Sequence, residues 1–308
     1  MQQFRSFYFR NYPNSLEEAL EYFAVFGGMG WEVDTDVPLV ELIEEVILDN
    51  YAFFYNDIID MTLGDKLHHD ILTALALGDR RTHSAYKRAH ISEHTGAPVI
   101  AYLCQSGIIV LEPSREKAPQ KEYPNQKLKK EVEKHHISDK LNFVSPFLRF
   151  WFSFISPLHR GIEKGEYDEM KQRFSSLEHG FSSLIFEKLS IELLKHISTA
   201  DPIIEVSSYW DRNVEIDILA TTVSGKTIVA ECKYTNTKVN RSELTKLMEK
   251  CTLANIQADY YMLFSKRGFS NELLASQEQS VSLYTLTDFK LLLEELSSDD
   301  LIKGYQKP

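Results

Sequence analysis

A short stretch in the C-terminal third places two carboxylates and a lysine where they could act on a phosphodiester. Asp217 stands in one apolar run of the sequence, and Glu231 and Lys233 stand in the next. Cleavage of a phosphodiester with a hard divalent cation needs carboxylate oxygens to hold the metal. It also gains from a nearby cation that positions the attacking water or offsets negative charge in the transition state. These residues offer the parts of a metal-dependent nuclease site that would use Mg²⁺ or Mn²⁺ as its cofactor.

The two runs read as the strands of a hairpin. Side chains two residues apart leave the same face of a strand, so Glu231 and Lys233 would point together. Residues 223–225 suit a three-residue loop with the glycine in the left-handed conformation. That loop would place Asp217 directly opposite Glu231, and Glu215 would then face Lys233. Facing carboxylates repel unless a positive charge lies between them. A surface hairpin with ordinary ion pairs has the same spacing, so the spacing alone leaves both interpretations open.

A third carboxylate, Glu187, interrupts the apolar face of the helix predicted before this hairpin. Leu184, Ile191 and Leu194 form that face, and position 187 falls within the same helical spacing. A lone buried carboxylate is costly or shifts its pKa, so it needs a partner. A metal shared with the hairpin carboxylates would supply one. The alternative is that Glu187 stands at the edge of the face and reaches water.

Charge is distributed unevenly along the 308 residues, whose net charge is −11. Residues 1–70 hold 14 acidic and 3 basic residues, so the remainder holds 31 of each and is neutral. A neutral remainder gives little non-specific attraction to nucleic acid, although local basic faces remain available. The 3 cysteines lack metal-ligand spacing, and no apolar stretch suits a signal peptide or a membrane span. We therefore expect a cytoplasmic protein that does not bind membranes.

The periodicity of apolar residues predicts an α/β chain with a helical N-terminal part. We expect four parts: an acidic helical segment, a winged-helix-like module, a basic linker with an aromatic helix, and a mixed-sheet domain. Their predicted bounds are 1–65, 66–114, 115–170 and 171–308. In the last part we expect helices at 175–196, 241–256, 271–278 and 287–296, and strands at 203–210, 214–222, 227–234, 260–265 and 281–284.

The winged-helix-like module has the expected order of three helices and a strand. The third helix of such a module normally reads the DNA groove, yet residues 95–105 contain neither Lys nor Arg. The basic residues stand at the second helix instead, which favours a structural or protein-docking role over DNA reading. If the module does contact nucleic acid, the residues to expect are Arg80, Arg81, Lys87 and Arg88.

The predicted linker and the aromatic helix after it carry weaker signals. Residues 115–140 hold eight basic and five acidic residues with two prolines, which indicates an exposed linker or solvated helix. A phosphate-facing patch is the alternative. The aromatic stripe at 143–154 has helical spacing, which favours packing over base stacking.

Several segments of the chain resemble the C-terminal half of archaeal-type ATPases of the AAA+/STAND class. That half ends in a domain regarded as a divergent PD-(D/E)xK nuclease fold. The resemblance therefore implies a winged helix followed by a restriction-endonuclease-like mixed-sheet domain. It also makes Glu187, Asp217, Glu231 and Lys233 the expected active-site residues, the three acids being the metal ligands. The resembling segments are Trp210–Tyr234 (with EID and ECKY), Tyr22–Gly28 (YFAVFGG), the winged helix at 66–112, Phe147–Phe152 (FLRFWF), Phe186-Glu187 and Phe264–Phe269 (FSKRGF).

The chain departs from that family in two places. Met29-Gly30-Trp31 follows the Gly-Gly segment where the family usually has Ile-Pro. No G-x-x-x-x-G-K-[ST] phosphate loop occurs in the sequence, so we expect no ATP site. The chain thus resembles a stand-alone version of the family's C-terminal half.

Two classes of function stay open at this point. The first is a Mg²⁺-dependent endonuclease acting on DNA. The second is a nuclease-like fold that binds nucleic acid or protein without cutting. One form of this second class is a subunit that docks to a separate ATPase. The partners to consider are DNA, a separate ATPase, another protein and a second copy of the chain.

Overall fold

A computed structural model of the chain describes residues 2–117, 123, 127, 135, 137–276 and 278–294. Most of the predicted basic linker at 115–140 lies outside these residues. Within them, a helical N-terminal region precedes a C-terminal mixed sheet of five strands. None of the described helices is both long enough and apolar enough to cross a lipid bilayer.

Four helices form the acidic N-terminal segment. The chain does not continue as one helix from Leu39 to Tyr55, because a π-helical turn ends at Leu48 and a new helix starts at Tyr51. The side-chain amide of Asn50 donates to the carbonyl oxygens of Glu45 and Val46, both at 3.1 Å. These bonds satisfy carbonyls that a continuing helix would use, and the first helix ends there. The helices are α1 (Gln2–Asn11), α2 (Leu16–Phe26), α3 (Leu39–Ile43, extended by the π turn Glu44–Leu48) and α4 (Tyr51–Met61).

Three helices and two short strands follow. The order agrees with the one expected of the predicted winged helix. The second strand lies beyond the predicted module boundary at 114, and it pairs antiparallel with the first so that Ile109 opposes Phe143. The paired strands therefore bracket the segment predicted as a linker. The elements are α5 (Lys66–Ala76), α6 (Thr82–Arg88), α7 (Glu93–Gln105), β1 (Ile109–Glu112) and β2 (Lys140–Phe143).

The aromatic segment after β2 is packed into the core, as predicted. It forms α8 (Pro146–Phe150), the π turn Trp151–Ile155 and the short α9 (His159–Ile162). The side chains of Phe150, Trp151 and Phe154 are at most 2% exposed. Phe154 meets Phe174 of the next helix edge to face, with ring centroids 5.2 Å apart. These rings contribute buried area and are not presented as a base-stacking surface.

The C-terminal part consists of one long helix, five strands and the helices that connect the later strands. The first three strands are antiparallel neighbours, and the last three run parallel, in the order β3-β4-β5-β6-β7. Helices connect the parallel strands, as this topology requires. The elements are α10 (Asp168–Ile197), β3 (Ile203–Trp210), β4 (Glu215–Thr222), β5 (Thr227–Lys233), α11 (Arg241–Leu253), β6 (Tyr260–Ser265), α12 (Asn271–Ala275), β7 (Val281–Thr285), the 3₁₀ helix Leu286–Lys290 and α13 (Leu291–Glu294).

Helices cover the central strands of this sheet on both faces. Ile218 and Ala230 pack in the cluster that includes α10, whereas Val229 packs with Leu247 of α11. The middle of β5 is a continuous buried run, which is typical of a strand covered on both faces. The candidate site residues lie on and beside β4 and β5, between these two helices.

The acidic N-terminal segment pairs with basic residues of the C-terminal part. Glu17 of α2 forms ion pairs with Lys266 at 2.7 Å and with Arg267 at 2.9 Å. Glu44 forms an ion pair with Lys171 of α10. Part of the N-terminal negative charge is therefore compensated within the chain.

Candidate metal centre

The hairpin of β4 and β5 has the predicted register. Gly225 closes a three-residue loop with a φ of 81°, a left-handed conformation that glycine adopts at little cost. Thr222 N–H donates to the carbonyl oxygen of Lys226 at 3.0 Å at the base of the loop. Ile218 then pairs with Ala230, as expected from a loop of that length. This register brings position 217 next to position 231.

Beyond this pair Asp217 hydrogen-bonds to β5 through its side chain. Its Oδ2 accepts a hydrogen bond from the backbone N–H of Cys232 at 2.8 Å. Burial, together with the charges of Glu231 and Glu187, raises the pKa of the Asp217 carboxyl to about 8, while the Cys232 hydrogen bond and the charge of Lys250 oppose the rise. Asp217 is thus held at the point where the hairpin ladder ends, within electrostatic reach of both predicted glutamates.

A β-bulge in β4 changes which residues share a face. Ser207 of β3 pairs with Leu219, but two residues later Tyr209 pairs with Ile216, so β4 contains one residue more. The extra residue reverses the alternation, and Ile216 packs on the α11 side of the sheet. The prediction that Glu215 faces Lys233 is wrong for this reason.

Glu215 instead binds cations from the N-terminal half. It accepts from the buried Lys140 at 2.6 Å and lies 3.7 Å from Arg81. These two cations come from β2 and from the start of α6. The pairing links the predicted winged helix to the sheet.

Glu231 lies on the α11 side of the sheet and contacts two lysines. It is 6% exposed. Its Oε1 accepts from Lys233 at 2.9 Å, and its Oε2 accepts from Lys250 of α11 at 2.7 Å. Lys233 also lies 3.1 Å from Glu243 of the same helix. Desolvation lowers the pKa of Lys233, but the hydrogen bonds and charges of Glu231 and Glu243 outweigh it and raise that pKa above its usual range.

Glu187 lies on the other side of Asp217, on α10. It lines a small cavity together with Arg80 and Arg149. Burial raises the pKa of the Glu187 carboxyl, while the charge of Arg80 opposes the shift and that of Glu215 adds to it. The structure therefore brings Asp217, Glu231 and Lys233 together, and it places Glu187 near Asp217 but among guanidinium groups.

The four predicted nucleic-acid contacts do not form one surface. Arg80 donates to Asn142 Oδ1 at 2.8 Å, and Arg81 lies beside Glu215. Lys87 and Arg88, at the end of α6, are exposed. Arg80 thus lines the cavity of Glu187, Arg81 pairs with Glu215 outside the candidate site, and Lys87 and Arg88 remain available at the surface.

The sequence reasoning missed Lys250, Glu243, Arg149 and Lys140. For Lys250 and Glu243 a signal was present, because they lie seven residues apart and border the buried face of Leu244 and Leu247. Glu187 was found from the same pattern. Arg149 and Lys140 come from distant parts of the chain, and no local spacing connects them to β4.

The described residues contain no group of three or more His, Cys, Asp or Glu side chains arranged to hold a metal ion. Mg²⁺ does not require one, because it keeps several waters and is often held by one or two carboxylates. Asp217 and Glu231 supply two carboxylates on neighbouring strands. The donor set fits a hard divalent cation at this pair, without Glu187 as a necessary third ligand.

Comparison with known protein families gives a match over part of the chain. Residues 151–246 match the family model DUF234, described as archaeal and bacterial proteins of unknown function. No curated protein and no solved structure matches the chain. The match extends from the aromatic segment through Asp217, Glu231 and Lys233 into α11, so the candidate metal centre lies within the part of the chain that resembles this family.

Proposed function

We propose that the protein is a metal-dependent nuclease of the PD-(D/E)xK type that acts on DNA. The observation that carries the proposal is the position of Asp217. Its carboxylate lies where the hairpin ladder ends, and the charge of Glu231 helps to raise its pKa. A divalent cation between two such carboxylates would turn their repulsion into attraction.

Asp217 and Glu231 would hold the metal. The backbone N–H of Cys232 donates to Oδ2 of Asp217 at 2.8 Å, and this hydrogen bond fixes the orientation of the carboxylate. When bound, Mg²⁺ or Mn²⁺ would supply Lewis-acid polarisation of the phosphate and acidify a water molecule. Because the pKa of Asp217 is raised, its proton must leave before it can ligate a metal, so metal affinity should increase with pH.

Lys233 would act as a fixed positive charge beside the metal ligands. Its raised pKa keeps it protonated at neutral pH. A protonated amine cannot accept a proton from water, but it can offset the negative charge that develops on the phosphate. Lys250 lies on the other oxygen of Glu231 and would strengthen the same field.

The order of elements supports the same fold class as the family resemblance. α10, β3, β4, β5, α11 and β6 follow one another as αβββαβ, the order we associate with a restriction-endonuclease-like core. The three helices and the β1–β2 pair before it agree with a winged helix in their order. Function is argued from the site, and the fold adds support by analogy.

The test is a cleavage screen with Mg²⁺ or Mn²⁺ on plasmid, branched and single-stranded DNA. We expect cleavage by the wild type, and losses of at least about a hundredfold in Asp217→Ala and Lys233→Gln. Lys226→Gln is the matched control, because Lys226 lies at the far end of the same hairpin and pairs with Asp259 at 2.8 Å. Equal cleavage by wild type and Asp217→Ala would refute the assignment of the site.

The second candidate is a binding module without catalysis. It is favoured by the pairing of both Glu231 oxygens with lysines, which compensates the charge that a metal would otherwise balance. This candidate predicts DNA binding or partner binding in EDTA, with no cleavage of any substrate by the wild type. The same screen, accompanied by a binding assay, therefore separates the two.

A further inference from the structure

A cavity beside Glu187 lies outside the group of residues to which the proposed cleavage assigns a role. It lies between the turn after α5 and the middle of α10, with a volume of about 170 Å³. Arg80, Arg149 and Glu187 are its charged lining residues. A water molecule occupies roughly 30 Å³ in the liquid, so the cavity can hold a small ion with its water.

Arg149 is fixed in this cavity by neutral groups. Its Nη1 donates to the carbonyl oxygen of Phe181 at 2.8 Å, and its guanidinium lies 4.1 Å from the centre of the Phe181 ring. Burial, together with the charge of Arg80, lowers the pKa of Arg149 to about 9, while the charge of Glu187 opposes the shift. A largely buried cation beside a second cation is unfavourable unless an anion accompanies it.

Arg80 is fixed in the same way. Its Nη1 donates to Asn142 Oδ1, and Leu141 N–H donates to its carbonyl oxygen at 2.8 Å. Its φ of 68° is a left-handed conformation that is uncommon for a residue with a Cβ. These contacts hold the backbone in that conformation and set the direction of the side chain toward the cavity.

The positive charge around the cavity exceeds the negative charge. The two cations that line it each donate to a neutral oxygen, Arg80 to Asn142 Oδ1 and Arg149 to the carbonyl oxygen of Phe181. Glu187 is the one acidic residue that lines the cavity among the residues that the structure describes. Two guanidinium groups beside one carboxylate leave an excess of positive charge, for which a small anion is the natural complement.

We propose that this cavity binds a phosphate group. Arg80 and Arg149 would bind its oxygens, and the carboxylate of Glu187 would lower the affinity by repulsion. Guanidinium forks match the geometry of phosphate oxygens. The inference rests on the proposed function in one respect: Glu187 lies within electrostatic reach of Asp217, so the phosphate would be one of the DNA backbone next to the cleaved bond. Free phosphate has the same chemistry and provides the simpler probe.

The test measures inorganic phosphate binding by calorimetry, with KCl at equal ionic strength and no divalent metal. Asp217→Ala serves as the background protein, so that cleavage plays no part. We expect saturable binding, a loss of about tenfold or more in Arg80→Gln, and a gain in Glu187→Gln because a repelling carboxylate is removed. Arg81→Gln is the matched control, since Arg81 adjoins Arg80 but pairs with Glu215.

The second arm measures a short DNA oligonucleotide with the same variants in EDTA. Parallel changes for phosphate and DNA would identify the cavity as a backbone-phosphate site. Phosphate binding without any effect of Arg80→Gln on DNA would identify a free-anion site and overturn the assignment to DNA. Absence of saturable phosphate binding, or equal affinity in wild type and Glu187→Gln, would overturn the proposal even if DNA cleavage is observed.

Discussion

Glu231 and Glu187 are two glutamates on opposite sides of Asp217, and they are held in different ways. Both oxygens of Glu231 accept directly from lysines, at 2.9 and 2.7 Å. Glu187 interacts with Arg80 and Arg149 by charge across a cavity, and burial raises its pKa. The site therefore has one side closed by ion pairs and one side with room for an ion. Residue type and spacing predict both acids, but the contacts decide what each can do.

The largest expected effect is a difference in the free energy of unfolding between a variant of Glu231 and a variant of Glu187. Glu231→Gln should lower the free energy of unfolding by about 3 kcal/mol at pH 7, because it leaves two lysines without their carboxylate in a largely buried setting. Glu187→Gln should change it by less than about 1 kcal/mol, because Glu187 lies across a cavity from Arg80 and Arg149 and the change breaks no direct ion pair among the described residues. Urea denaturation of the two variants measures both. Equal losses would mean that Glu187 is also held by a direct pair.

Replacing Asp217, which lies between the two glutamates, should have a smaller effect on the free energy of unfolding, and that effect should depend on pH. The pKa of Asp217 lies near 8 in the folded protein, above its unfolded value. Its protonated form thus stabilises the fold at low pH, and that stability is lost as the pH rises through 8. Asp217→Asn keeps an oxygen for the Cys232 N–H and does not titrate. Its stability should match the wild type near pH 4 and exceed it by on the order of 2 kcal/mol at pH 8.5.

The control for that pH dependence is Glu205→Gln, a change at an exposed carboxylate on β3 that pairs with Arg115. Denaturation from pH 4 to 9 should show no growing difference between this variant and the wild type. A constant difference between Asp217→Asn and the wild type over the same range would show that Asp217 is not protonated in the fold. The electrostatic coupling between Asp217 and its two glutamates would then be absent.

The hairpin could be predicted because its determinants are local. A three-residue loop with Gly225 in the left-handed conformation leaves one register for the strands, and that register pairs Ile218 with Ala230. The pattern of apolar residues likewise predicted β3 and β6 with their observed bounds. Local geometry thus accounts for the meeting of Asp217 and Glu231.

The rest of the site depends on contacts between distant segments. The extra residue of β4 is accommodated by pairing with β3, and it turns Glu215 toward Lys140 of β2. Arg149 reaches Glu187 because the aromatic segment packs against α10. The spacing of residues within β4 or α10 does not indicate that Lys140 or Arg149 lies nearby. The cationic side of the site therefore could not be predicted from the sequence.

The most direct test of the account is the response of the folded protein to divalent metal. Thermal unfolding of the wild type, Asp217→Asn and Lys226→Gln is followed with and without Mg²⁺ or Mn²⁺ at pH 8.5. A site formed by Asp217 and Glu231 predicts that the wild type and Lys226→Gln gain several degrees, since a ligand of the folded state raises Tm. Asp217→Asn should gain little. A wild-type Tm that does not change with either metal, or an equal increase of Tm in Asp217→Asn, would contradict the metal centre.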